Sequence, residues 1–278
     1  MFFQKSREKE FRMAWQVRAG QKTAFLAGTA HFFPYSFKKS LTRLIGRVGT
    51  VLLEGPLDES NMELVREYGL EERGRPSVIE NLDRATLARI NREFEADAPA
   101  ADSSFLAFLE VLRPRKEAVL ASELAGLKPW LAFFKTWTHF LRKRGWVYSV
   151  DMEAYEAARE LGKKVRFLET IEEQVHAMEG IPVERILSFL KKMDTWERYA
   201  EIHSRRYLAG DYDSILKIVS EYPTRCESII DRRDPVLFER MKPYIEAGDA
   251  IAFVGTTHIA GIKKMLEKTG YEVSKYDA

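Results

Sequence analysis

Twice in this chain an apolar, strand-prone run ends in Gly-Thr-x-His. The first is Phe25-Leu26-Ala27-Gly28-Thr29-Ala30-His31, and the second is Ala252-Phe253-Val254-Gly255-Thr256-Thr257-His258. Short apolar runs of this kind, closed by glycine, read as buried strands. The glycine lets the backbone turn or approach a ligand closely. The histidine then stands beyond a strand's carboxyl end, where open α/β sheets gather their ligands. Two such ends from opposite parts of the sequence can share one crevice only if a single sheet is assembled from both.

The remaining strand signals fit that requirement. Met13–Arg18 and Thr23–Ala30 read as a hairpin, and Thr50–Leu53, Lys164–Leu168, Ala250–Val254 and Tyr271–Tyr276 read as further strands. Helical patterns over Ser36–Arg47, Met152–Leu161, Pro235–Glu246 and Ile259–Lys268 alternate with them, the pattern of an α/β fold. From about residue 61 to 163 strand signals vanish and prolines punctuate helical stretches at Pro76, Pro99, Pro114 and Pro129. Val183–Ala209 is again helical. The expectation is one domain over residues 1–278, with a central mixed sheet from the N- and C-terminal parts. The largely helical middle, residues 61–163, is a lid or substrate subdomain, or scaffold.

Composition removes several classes of function. Lys and Arg number 44 against 42 Asp and Glu, a formal charge of +2, without the clustered positive charge that nucleic acid demands. Cys226 is the sole cysteine, so neither an internal disulfide nor a thiolate metal cluster can form, which fits a reducing, cytoplasmic setting. The N-terminal MFFQKSREKEFRM carries charges where a signal peptide would develop its apolar stretch. The greasiest segment, Pro129–Trp146, is interrupted by Lys135, Arg142, Lys143 and Arg144 and falls short of the ~20 apolar residues of a membrane span.

Chemistry concentrates at the strand ends. His31 and His258, in the same local context, suit general-base or metal-ligand roles. Glu54 ends the strand Val51-Leu52-Leu53, where a carboxylate serves a site or pairs with an arginine. Two histidines and a carboxylate make a metal set with open positions, or a water-activating set without metal. No HExxH pair supports the metal. Glu169 repeats the strand-end logic, while Thr170 and Glu173 read as a capping box. Asp151 reads as the N-cap of the helix 152–161. In Arg232-Arg233-Asp234-Pro235 an arginine is placed to clamp a carboxylate or oxyanion, or to pair with Glu54. His139, His176 and His203 lie within helical patterns without ligand spacing and are given no role. Gly210–Asp213 reads as a helix-to-helix turn.

The order of these landmarks resembles the TraB/GumN (PrgY, TIKI-like) family, whose hallmark is two separated Gly-x-x-His motifs with a glutamate after the first. The matching stretches are Trp15-Gln16-Val17, Leu26–His31, Val51–Glu54, Val150-Asp151, Gly162–Thr170 with Glu173-Gln174, Arg233-Asp234 and Phe253–Ile262. The resemblance implies a fold related to the erythromycin-esterase and ChaN-like proteins. It implies catalytic His31, Glu54, Arg233 and His258, with substrate-binding Gly28, Gly255, Asp151 and Glu169. It also implies a hydrolase of a peptide or small molecule. Either His31, Glu54 and His258 hold a divalent metal (Mn, Co or Zn), as in TIKI-like proteases, or a histidine activates water directly, as in the esterases. The alternative implied by ChaN-like relatives is a haem-type binding protein. A third reading makes Trp130–Trp146 a partner-binding surface.

Overall fold

The computed structural model describes residues 7–70, 78–95, 124 and 126–276. Its chain order is β1 (Ala14–Ala19), β2 (Lys22–Thr29), α1 (Lys38–Gly46), β3 (Thr50–Leu53), α2 (Glu59–Tyr68), α3 (Arg84–Glu95), α4 (Pro129–Lys143), α5 (Val150–Glu160), β4 (Lys164–Phe167), α6 (Ile171–Glu179), α7 (Val183–Lys191), α8 (Trp196–Ala209), α9 (Tyr212–Ile218), α10 (Arg233–Ala247), β5 (Ala250–Gly255), α11 (Ile259–Lys268) and β6 (Glu272–Lys275). The expected hairpin is β1–β2, and every strand read from the sequence is present within a residue or two. The prolines Pro76, Pro99 and Pro114 fall outside the described residues.

One mixed sheet of six strands runs in the order β4-β3-β5-β2-β1-β6. β4, β3, β5 and β2 are parallel neighbours, and β1 pairs antiparallel with β2 and β6. The central strands are apolar throughout because both their faces are covered. Leu26, Ala27, Val51, Leu52, Ile251, Phe253 and Val254 are all fully buried. The edge strands β4 and β6 are instead largely exposed and charged, which discourages pairing with another chain.

α5 packs against α1 and on β3 and β4, while α10 lies on β1, β2 and β5. The helical part is tied together by aromatic side chains. Trp137 stands edge-on to Trp196 at 5.1 Å and to Phe189 at 5.3 Å between ring centroids. The indoles of Trp130, Trp137 and Trp146 are buried, so the aromatic face of this stretch looks inward. The helical run 183–209 breaks at a 3-10 turn over Met193–Thr195 into α7 and α8. Gly210, with a left-handed φ of 69°, ends α8, and Asp211 accepts from the Ser214 N–H to start α9. No helix among the described residues is long and apolar enough to cross a membrane.

Candidate functional site

The four parallel strands deliver their next residues to one side of the sheet. Glu169 lies two residues past β4, Glu54 one past β3, His258 three past β5 and His31 two past β2. Pairing continues beyond the strands: Leu168 N–H donates to Leu53 O at 2.8 Å, Glu169 N–H to Glu54 O at 2.6 Å and Thr256 N–H to Thr29 O at 3.1 Å. The loop ends are thereby fixed as firmly as the sheet. The first turn of α10 brings Arg233 and Asp234, and the first turn of α5 brings Asp151.

Arg233 ties the strand ends together. Its Nη2 donates to Glu54 Oε2 at 2.9 Å and to Glu169 Oε2 at 2.6 Å, and Nε donates to Glu169 Oε1 at 2.9 Å. Nη1 lies 3.3 Å from His258 Nε2, and His258 Nδ1 lies 2.6 Å from Asp234 Oδ1. Glu54 Oε1 accepts the Gly255 N–H. This network is buried, with His258 only 2% exposed. Burial would raise the Glu54 pKa. The charges of His258, Arg233 and His31 and the Gly255 amide outweigh it and hold the carboxyl at about 2. Burial likewise opposes the Arg233 cation, but Glu54 and Glu169 raise its pKa further above the ordinary range.

Two glycines make this closeness possible. A Cβ at Gly255 would lie 3.3 Å from Glu54 Oε1, and one at Gly261 would lie 1.7 Å from Asp234 Oδ2. Gly28 contributes its carbonyl, which accepts the buried Tyr207 hydroxyl at 2.7 Å.

His31 differs from His258. Its side chain is 55% exposed, and Nδ1 lies 2.9 Å from Oδ2 of the buried Asp151. That oxygen makes no well-aligned hydrogen bond. The Asp151 charge is the largest influence on His31 and exceeds the opposing desolvation; with help from Glu54 it raises the imidazole to about 9. Asp151 is not the helix cap expected from the sequence. Ser149 is, accepting from Met152 N–H at 3.3 Å, and the helix begins earlier, at Val150. Asp151 is freed to face His31 because residues 148–150 are pinned to the loop after β2, through Phe33–Tyr148 pairing and Val150 N–H to Ala30 O. The capping box on α6 is present as expected, with Thr170 accepting from Glu173 N–H.

The family model for TraB/PrgY/gumN matches residues 13–275, nearly the whole chain. The chain belongs to the TraB/PrgY/gumN family. No curated protein matches it. Thr29–His31 and Gly255–His258 of the two motifs in this TraB/PrgY/gumN chain, with the intervening Glu54, border one cavity of about 310 Å³, and Gly28 does not line it. His31, Glu54, Asp151, Arg233, Gly255 and His258 line it, while Glu169 stands behind Arg233. The neighbouring Arg232 points away and pairs with Glu227 on the surface.

One cavity residue was given no role from sequence. His203, on α8, lines the same space, stacked loosely between Trp146 and Tyr207. Burial pushes its pKa down to about 4, so it is neutral near pH 7. Its available signal is helical spacing: Tyr199, His203 and Tyr207 share one stripe of α8. His139 instead stacks on Phe94 and contacts the Glu93 carbonyl, away from the cavity.

The donor set proposed for a metal does not fit one in this arrangement. Both His258 nitrogens and both Glu54 oxygens are engaged, and a divalent ion between them would stand against the Arg233 cation. No group of three or more His, Cys, Asp or Glu among the described residues is placed to hold a metal.

Proposed function

We propose that this chain hydrolyses a carboxylic ester or amide bond, with His31 acting directly on water. The observation that carries the reading is the cavity-facing His31 paired with buried Asp151. In this reaction His31 Nε2 takes a proton as the water oxygen bonds to the carbonyl carbon, and the C=O electrons move to oxygen. Arg233, its charge offset by Glu54 and Glu169, acts as a positioning residue that holds the strand ends in place around the reacting carbonyl. Collapse re-forms the carbonyl, and the leaving alcohol or amine takes the proton from His31. Asp151 holds the ring and supports its charged form.

The test is turnover of ester and amide panels by wild type and His31→Ala. The substitution is expected to abolish turnover without lowering the melting temperature by more than a few degrees, since the ring is half exposed; undiminished activity would overturn the assignment. Metal analysis of wild type beside a His31→Ala, His258→Ala double variant keeps the other routes open to refutation. Stoichiometric Mn, Co or Zn lost in the double variant would replace direct histidine catalysis with a metal-dependent one. A haem absorbance band abolished in the same variant, with no turnover, would favour the binding protein.

A further inference from the structure

Beyond the strand ends the cavity changes character. Every charged side chain that lines it among the described residues belongs to the site: Glu54, Asp151, Arg233 and the two motif histidines. One wall is built by a stripe of α4, Trp130, Phe134, Trp137 and Leu141, at spacings of four, three and four residues, together with Tyr199 and Tyr222. Burial raises the pKa of both phenols, so the wall carries no charge near neutral pH. The wall is helical, and helix interiors have already paired their backbone N–H and C=O groups. Among the described residues, a peptide main chain entering this arm would meet no strand edge to pair with. Each of its stranded amide groups would lose the hydrogen bonds it makes in water. A hydrocarbon chain needs no partners. The volume, about 310 Å³, sits at the small end of the ~300–1,000 Å³ seen for small-molecule sites.

We propose that the arm formed by α4, Tyr199 and Tyr222 receives a medium-chain acyl group, so that the substrate is an acyl ester or acyl amide whose carbonyl lies at His31. The word substrate rests on the hydrolase reading, whereas the acyl arm does not, and the test separates them. One arm is hydrolysis of p-nitrophenyl acetate, butyrate, hexanoate and octanoate. The other is calorimetric binding of octanamide, a neutral probe, against acetamide. Wild type is expected to gain about three- to fourfold in kcat/KM per added methylene over this series, and to bind octanamide but not acetamide. Phe134 is partly exposed to the cavity, and Phe134→Asp places a carboxylate in the arm. It should flatten the chain-length series and abolish octanamide binding. Phe134→Leu should keep both preferences.

If Phe134→Asp fails to fold, Met178→Asp, from α6 on the same cavity, makes the same test. Octanamide binding lost in the Asp variant, with no ester hydrolysed, supports the arm and overturns the hydrolase. Ester turnover with a flat chain-length profile and no octanamide binding overturns the arm and leaves the hydrolase standing. Absence of both turnover and octanamide binding overturns the arm.

Discussion

His31 and His258 carry the same motif in different surroundings. His258 is enclosed between Asp234 and Arg233, whereas His31 meets the cavity with one ring nitrogen held by Asp151. If His31 is the base, its unprotonated form accumulates only as pH rises through about 9, so kcat/KM should climb to an alkaline plateau. Asp151→Asn removes the largest cause of that shift and should move the limb toward the ordinary histidine value near ~6.5, measured by pH–rate profiles or NMR titration of the ring. The linkage has a matching sign. A folded pKa raised above the unfolded one stabilises fully below about 6.5, and that contribution fades as pH rises through about 9. The half-exposed ring keeps the effect small through solvent screening.

At the scale of elements, the site depends on how closely helices approach the strand ends. Gly261 lets α11 pass against Asp234, so Gly261→Ala must push α10 away or break the Asp234–His258 contact. It should cost about 1–3 kcal/mol, seen as a lower denaturant midpoint, together with a larger loss of activity than of stability. Tyr207 joins α8 to β2 through the Gly28 carbonyl. Tyr207→Phe leaves that buried acceptor unpaired and should cost about 1–3 kcal/mol by the same measurement.

For the whole molecule, Arg233 is the side chain that closes the assembly. It links the ends of β3 and β4 to α10 and stands against His258 beyond β5. Arg233→Met strands Glu54 and Glu169 as uncompensated buried charges, expected to cost about 3–5 kcal/mol, on the order of ten degrees in melting temperature. Acid should act in the same place. The depressed Glu54 contributes stability that is fully present above its unfolded value near ~4.5 and is lost as pH falls through about 2. In Arg233→Met this acid-labile part should be diminished, measurable as a shallower fall of stability with pH.

Much of this was legible in the chain as written. The repeated Gly-Thr-x-His placed His31 and His258 at strand ends, and Val51–Glu54 placed a carboxylate beside them. The resemblance implied Arg233, and the structure sets Arg233 between Glu54 and Glu169 and Arg232 on the surface with Glu227. These signals are local: strand burial, strand termination and residue type are all written within a few consecutive positions. Asp151 and His203 were legible only as a cap and a helical histidine, because Asp151 meets His31 120 positions away and His203 reaches the cavity through the packing of its helix. The sequence by itself determined the elements and the strand order's raw material, since hydrophobic periodicity fixes which faces are buried. Only the tertiary structure decided which carboxylate meets which cation, and which histidine is enclosed and which exposed. Those pairings depend on distances of about 3 Å set by long-range packing, and no local pattern encodes them.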